Sequence, residues 1–300
     1  MRKLVVIGSI NNDLVIEVGK PPVIGETVLG TGFFQAPGGK GANQAVACAR
    51  LGADVTLIGA VGDDAFGKAM IDGFKQDGID TCSIKADSGK PTGTAMIILN
   101  EGDNYIAVDQ GANLAVDKEQ IDAATSKLKE ADIAVLQLEV PFETVKYAVE
   151  RCSEIGVPVL LNPAPAPTQK LDKSFLELVE LITPNESETF AITGIMPTTP
   201  QEAIKAAICL SDLGVKNVVI TLGGDGCVYG SGEDFRHMPA IKVEEVVDTT
   251  AAGDSFTAAL AVYLSEGNTL EQAVAFAIKV GSITVSRKGA QPSLPFRREI

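Results

Sequence analysis

The sequence predicts an α/β fold of three layers, a mainly parallel sheet with helices on both faces, carrying a small additional β-sheet. Three observations predict it. Short β-branched runs alternate with segments of helical period. Polar and glycine-rich groups follow several of those runs, as they do where parallel strands end at a ligand site. Two regions break the rhythm with paired strands and no intervening helix.

In chain order, residues 4–7 read as the first strand, and Asn11, Asn12 and Asp13 leave its end. Residues 13–18 and 27–34 read as a strand pair of the small sheet. Pro37-Gly38-Gly39-Lys40-Gly41-Ala42-Asn43 then turns into a helix whose apolar positions are Ala45, Val46, Cys48, Ala49 and Leu51. Residues 55–58 form a strand, and Phe66, Met70 and Phe74 repeat at helical spacing as packing groups. The second pair, 93–99 and 105–108, is separated by the turn Asn100-Glu101-Gly102-Asp103-Asn104. Strands follow at 133–138, 159–161 and 218–221. Between them Val145, Ala148, Val149, Cys152 and Ile155 make one helical stripe, and Ala203, Ala206, Ala207, Leu210 and Leu213 another. The whole reads as one α/β domain over residues 1–300, with small-sheet strands inserted at about 13–34 and 93–109. That small sheet is either a lid over a site or a pair of hairpins extending the main sheet, and periodicity alone fits both.

With 300 residues the chain can bury a substantial core. A net charge of -14 argues against a nucleic-acid partner, which would call for clustered Lys and Arg. The apolar run after Met1-Arg2-Lys3 breaks at Gly8, too short for a signal segment, and no later run is long enough to span a bilayer. A cytoplasmic protein is expected. Cys48, Cys82, Cys152, Cys209 and Cys227 form no C-x-x-C pair and read as reduced, mostly buried thiols. His237 lies in a polar stretch without a triad-like setting and reads as a surface residue.

The chemistry concentrates in Asp248-Thr249-Thr250-Ala251-Ala252-Gly253-Asp254-Ser255-Phe256. Three small residues ahead of a carboxylate at a helix start allow backbone N–H groups to approach an anion, where the first-turn donors and the dipole favour negative charge. Asp254 can then meet a hydroxyl beside that anion and take its proton late in phosphoryl transfer. Read alone, the same pattern is an Asp cap on a tightly packed helix. The Gly-Gly-Lys-Gly turn offers close backbone approach, with Lys40 and Asn43 as donors for a hydroxyl-rich ligand, or simply a tight helix start. It is not a phosphate-binding Walker loop, because Gly41 stands where Ser or Thr should follow the lysine. Gly8-Ser9-Ile10-Asn11-Asn12-Asp13 lacks the later glycines of a dinucleotide fingerprint. Glu139, Asn162, and Asn185 with Glu188 each follow a predicted strand or apolar segment, and Thr221-Leu222-Gly223-Gly224-Asp225-Gly226 could turn main-chain donors toward phosphates. One by one these are ordinary caps and turns. Their joint placement on one sheet edge is what points to a site.

The ordered set Gly-Ser-Ile-Asn-x-Asp, Gly-Gly-Lys-Gly-Ala-Asn, Asn-Pro-Ala-Pro, Thr-Pro-Asn-Glu-x-Glu, Thr-Leu-Gly-Gly-Asp-Gly and Asp-Thr-Thr-Ala-Ala-Gly-Asp, from about Leu4 to Arg297, resembles the ribokinase-like carbohydrate kinase family. The closing Arg287-Lys288-Gly289-Ala290-Gln291-Pro292-Ser293 shares the resemblance. It implies transfer of the γ-phosphoryl of ATP to a primary sugar hydroxyl, O5 of D-ribose, giving ribose 5-phosphate. Asp254 would be the base, with the N–H groups of Ala252, Gly253 and Asp254 as the anion hole. The matching sugar positions are Asn11, Asn12, Asp13, Gly39, Lys40, Gly41, Ala42, Asn43 and Glu139. On the nucleotide side they are Asn185, the 221–226 loop and Gly253, with Glu188 placing hydrated Mg²⁺ through water. Asp248, Thr250, Thr284, Arg287, Gly289 and Ser293 match a site for K⁺, and a homodimer paired through the lids is implied. Ile278 stands where the family often has a polar residue near adenine, which bears on nucleotide selectivity. The chain ends at Ile300, earlier than many members of the family, which suggests a missing final segment. A different acceptor (deoxyribose, fructose or a nucleoside) and a non-catalytic sugar- or nucleotide-binding protein of the same fold are the competing readings.

Overall fold

The computed structural model describes residues 2–100 and 103–300. Along the chain its elements are β1 (Lys3–Ile7), β2 (Asn11–Val18), β3 (Gly30–Gly38), α1 (Lys40–Arg50), β4 (Asp54–Gly62), α2 (Ala65–Gln76), β5 (Ile84–Asp87), β6 (Gly93–Asn100) and β7 (Asp103–Asp109). There follow α3 (Lys118–Ala123), α4 (Thr125–Glu130), β8 (Ile133–Leu136), α5 (Phe142–Ile155), β9 (Val159–Leu161), α6 (Lys173–Leu176) and β10 (Leu181–Ile182). The remainder holds α7 (Glu186–Thr193), α8 (Pro200–Asp212), β11 (Asn217–Thr221), β12 (Cys227–Ser231), β13 (Asp234–Met238), α9 (Ala252–Ser265) and α10 (Leu270–Thr284).

The large sheet has the order β13-β12-β11-β10-β9-β8-β1-β4-β5. Neighbours from β11 to β5 pair in parallel, and only the β11/β12 and β12/β13 pairs are antiparallel. Alternation of side chains divides β1 between two cores. Leu4 and Val6 pack with α1, α2, α9 and α10, whereas Val5 and Ile7 pack with α3, α4, α5 and α8. This two-sided burial makes the central strands continuous apolar runs, and it fixes their register, since a one-residue slip would exchange the two sets. Helix ends follow local chemistry. Asp64 accepts from the Gly67 N–H at 2.8 Å to start α2, and Gly156 at φ 77° ends α5.

Most of the strands read from the sequence are present. Residues 159–161 coincide with β9, while β4 runs on to Gly62 and β8 stops at Leu136. The stop has a cause: the Leu138 N–H leaves the ladder and donates to the Ala164 carbonyl at 2.9 Å. The β12/β13 hairpin at the sheet edge was not foreseen. The small sheet, in order β3-β2-β6-β7, is a separate sheet and not an extension of the large one. Its β3 starts at Gly30, three residues later than expected, leaving Leu29 86 % exposed in the connection. Met96, Tyr105 and Ile106 of the small sheet are 63 %, 55 % and 55 % exposed in the single chain. A lone four-stranded layer has two faces, and one chain does not cover both. The turn expected at 100–104 falls partly on residues 101 and 102, outside the described residues.

Because the central strands are parallel, their C-terminal ends lie along one edge. Gly8 and Ser9 leave β1 there, Gln137 and Glu139 leave β8, Asn162 leaves β9 and Asn185 follows β10. The starts of α1 and α9 complete that edge.

Candidate active site

Both helices enter through unusual backbone. Gly39, at φ 88°, precedes α1, and a Cβ there would lie 2.7 Å from the Asn11 nitrogen, so only glycine fits. Ala251, at φ 60°, precedes α9 in the left-handed region, uncommon for a residue with a Cβ. The Ala252 N–H is turned back to the Thr249 carbonyl at 3.2 Å and that of Ser255 to the Ala251 carbonyl at 2.9 Å. The N–H groups of Gly253 and Asp254 lie between them in the first turn, where the helix itself supplies no acceptor. Nothing lies within 4 Å of where a Gly253 side chain would begin, so an anion can reach these donors.

Asp254 is 6 % exposed. Its Oδ2 accepts from Asn43 Nδ2 at 2.9 Å and its Oδ1 from Gln44 Nε2 at 3.0 Å, both from the first turns of α1. The cap reading fails on geometry: this carboxylate faces α1 instead of its own helix. Asp13 projects from β2 against Gly38, where a Cβ would meet its carboxylate at 2.3 Å. Burial first, then the charges of Glu139 and Asp254, push the Asp13 pKa up to about 7. Burial works against the Lys40 ammonium, yet Asp254, Glu139 and Glu188 together hold its pKa above the ordinary lysine value. Lys40 and four carboxylates therefore share one field at this edge.

Asn11 is 4 % exposed and its Oδ1 accepts from Asn113 Nδ2 at 2.7 Å; Asn113 in turn accepts from the Ile10 N–H at 2.8 Å. Glu139 Oε2 accepts from Ser9 Oγ at 2.5 Å and from the Lys40 N–H at 3.2 Å. Three expected sugar contacts are placed otherwise. Asn12 alternates to the opposite face of β2 from Asn11 and Asp13 and lines a cavity of about 390 Å³ with Arg50, Met70, Phe74 and Gln291. Gly41 and Ala42 direct their N–H groups at Ser9, to Oγ at 3.4 Å and to the carbonyl at 2.9 Å, and serve the packing of α1.

On the nucleotide side, Asn185 and Glu188 form a closed capping box on α7. Asn185 Oδ1 accepts from the Glu188 N–H at 2.9 Å, and the Glu188 carboxylate takes the Asn185 backbone and amide N–H at 2.9 and 3.0 Å. Burial first, with Asp254 adding to it, raises the Glu188 pKa. In the 221–226 turn the Leu222 N–H bonds the Gly226 carbonyl at 2.8 Å, leaving Gly223 and Gly224 at its open side. His237, exposed on β13 as expected, donates to the Asp225 carbonyl at 2.7 Å and braces this turn.

Asp248 ties two segments together. Its Oδ1 accepts from the Thr250 N–H and Oγ1 at 2.9 and 2.6 Å, and its Oδ2 from the Gly289 N–H at 2.8 Å. Burial opposes the charge, but these donors and Lys288 hold the Asp248 pKa below the usual range. Thr284 donates to Ser255 Oγ at 2.9 Å, Arg287 pairs with Glu299 at 2.8 Å and Ser293 donates to the Ala290 carbonyl at 2.7 Å. Asp248, Thr250 and Gly289 are thus joined directly, while Thr284, Arg287 and Ser293 bond to Ser255, Glu299 and Ala290, and what Arg287 and Gly289 can offer an ion is main-chain carbonyl oxygen. A single carboxylate among neutral oxygens suits a hard monovalent cation. Among the described residues, no group of three or more His, Cys, Asp or Glu converges as a metal cage.

Residues 1–297 match the pfkB family carbohydrate kinase. The chain belongs to that family. Ribokinase of Bacillus subtilis (strain 168) is 41 % identical over 300 residues, covering 100 % of this chain and 98 % of the relative. Deoxyribokinase of Salmonella typhi is 38 % identical, covering 97 % of this chain and 95 % of the relative. The structure of Arabidopsis thaliana ribokinase complexed with ribose and ATP superposes with a TM-score of 0.91 at 33 % identity, covering 99 % of this chain and 97 % of that one.

Within this carbohydrate kinase, Ile278 is 8 % exposed and packs in the core with Val274 and Ala277 of α10. Sequence reasoning passed over Gln44, Gln137 and Asn113, each at most 1 % exposed. The available signal was polarity out of place: Gln44 interrupts a run of small apolar residues, and buried amides demand partners.

Proposed function

We propose that this chain is an ATP-dependent ribokinase, transferring the γ-phosphoryl group to O5 of D-ribose to give D-ribose 5-phosphate and ADP. The observation that carries it is the position of Asp254. Its buried carboxylate faces the first turns of α1, one residue from helix-start donors that lie open to an anion. The O5 oxygen attacks the γ-phosphorus, the bond from that phosphorus to the bridging oxygen of ADP breaks, and the O5 proton passes to Asp254. N–H groups of Gly253 and Asp254 stabilise the charge on the transferring group, the Ala252 N–H being turned back to the Thr249 carbonyl. Asn11, Asp13, Gly39, Lys40, Asn43 and Glu139 hold the sugar. Asn185 and residues 221–226 bound the nucleotide.

Mg²⁺ would travel with the nucleotide phosphates and neutralise them, and Glu188, held by the Asn185 backbone and amide N–H groups, would help to place it through water. K⁺ at Asp248, Thr250, Thr284, Arg287, Gly289 and Ser293 would supply charge that orders the loop ahead of α9. We take residues 1–300 as one α/β domain with the small sheet as its lid. Apolar Ile16, Phe33, Met96 and Tyr105, each exposed in the single chain, favour pairing of two lids in a homodimer. No described helix is long and apolar enough to cross a membrane, and Cys48, Cys152 and Cys227 are buried free thiols, which fits a cytoplasmic setting.

The similarity to a deoxyribokinase supports 2-deoxyribose as the second reading of the acceptor. An ADP-release assay with Mg-ATP and potassium, comparing ribose, 2-deoxyribose, fructose and adenosine at matched concentrations, tests both. Ribose-dependent release is expected. Preference for another acceptor reassigns the sugar, and no release with any of them removes the kinase reading.

A further inference from the structure

Behind Asp254, on the side away from Asn43, a line of buried amides runs across the sheet edge. Gln44 and Gln137 are fully buried, Asn162 is 7 % exposed and Thr183 is 3 % exposed. Asn162 Nδ2 donates to the Thr183 carbonyl at 2.9 Å. That acceptor is backbone and cannot be reversed, so Asn162 must present its oxygen on the other side. Gln44 Nε2 donates to this oxygen at 3.1 Å and, with its second N–H, to Asp254 Oδ1 at 3.0 Å. The Gln44 carbonyl then accepts from Gln137 Nε2 at 2.6 Å. Each amide fixes the orientation of the next, starting from one backbone carbonyl. Turning the Gln44 amide over would set its oxygen against both the Asp254 carboxylate and the Asn162 oxygen.

The two residues on Asp254 thus differ in freedom. Asn43 has a buried Oδ1 without a partner, and its single bond to Oδ2 can be exchanged for one to a ligand. Gln44 has all three of its amide bonds made and cannot turn away. We propose that Gln44 is a positioning residue: it holds Asp254 Oδ1, and through it the plane of the carboxylate, so that Oδ2 is the oxygen offered to the acceptor hydroxyl. This rests on the reading of Asp254 as the base. Gln137, Asn162 and the Thr183 carbonyl form the frame that keeps Gln44 in place.

The test is a cycle of Gln44→Met, Asp254→Asn and the double variant, with Gln44→Glu alongside, each checked for folding by its thermal transition. Gln44→Met is expected to lower kcat roughly 10- to 100-fold with little change in sugar KM, since misplacement of a catalytic group has effects of that size. In the Asp254→Asn background it should lower kcat no further. Gln44→Glu sets a second carboxylate on Asp254, so the acidic limb of its kcat profile should move to higher pH. Unchanged kcat in folded Gln44→Met, or full additivity in the double variant, overturns the proposal. An inactive parent would instead fault the kinase reading. The contact is then read without turnover by NMR of the Gln44 side-chain amide, and signals that do not move in Asp254→Asn overturn it equally.

Discussion

The backbones of Gly8 and Gly41 pass in direct contact: a Cβ on Gly41 would lie 2.5 Å from the Gly8 carbonyl carbon, and one on Gly8 would lie 2.8 Å from the Gly41 Cα. Both obstacles are main chain, so neither yields by a rotamer change. This approach seats the start of α1 on the end of β1 and brings Asn43 and Gln44 within reach of Asp254. It also explains why Gly41 stands where a phosphate-binding loop would carry a hydroxyl. Gly41→Ala is therefore expected to destabilise the fold by about 3 kcal/mol, the upper end of the usual range for core overpacking. At this size that is a fall of roughly 5 °C in the thermal midpoint. A midpoint within a degree or two of the parent would show that the contact relaxes cheaply.

Asp13 should make stability and sugar recognition respond to pH in opposite directions. Its folded pKa of about 7 lies above the unfolded carboxylate value, so the folded state binds the extra proton. The penalty is absent below the unfolded value of roughly 4, grows as pH rises and is complete above the folded one. Asp13→Asn is expected to melt above the parent at pH 8 and level with it near pH 4. Recognition runs the other way, because the ionised carboxylate accepts strongly from sugar hydroxyls through both oxygens, whereas protonation removes the charge and turns one oxygen into a donor. kcat/KM for the sugar should fall below about pH 7, approaching tenfold per unit. Titration of both quantities decides it, and a flat kcat/KM between pH 6 and 8 would sink the second half.

How much of this was legible differs by residue. The central strands could be read because burial on both faces makes them apolar throughout, and α5 and α8 because they bury one stripe. The end of β8 could not, since it depends on which carbonyl the Leu138 N–H finds, a partner 26 residues on. Asp254, Asn11 and Asp13 stood out through chemistry at strand and helix ends. Asn12 was misplaced with them although the two-residue period of β2 already turns it to the other face. Gln44 was invisible for another reason: its function lies in Gln137 and Asn162, which are 93 and 118 positions away. No local pattern encodes such a frame.

Asp254→Asn keeps the size of the side chain while removing the proton acceptor. Loss of a general base costs typically 10²- to 10⁴-fold in rate, and kcat is expected to fall within that range. Sugar binding by calorimetry should stay close to the parent value, because the other sugar-facing groups remain. Turnover within a few-fold of the parent would remove Asp254 from the chemistry.

The loop ahead of α9 should make activity depend on the monovalent ion. Asp248 already collects donors from Thr250 and Gly289 and so links the two segments that carry the other candidate oxygens. An ion there would add a bond between the segments without touching sugar or nucleotide, and its effect would reach the reaction through the placement of Ala252 and Gly253. Couplings of this kind are worth about 1–3 kcal/mol. Replacing sodium by potassium at constant ionic strength is therefore expected to raise kcat/KM at least about fivefold, the low end of that range. Asp248→Ala should lower both the activity and its response to potassium, since it removes the link itself. Equal rates in the two ions, with the parent and the variant alike, would leave Asp248 as a loop brace and nothing more.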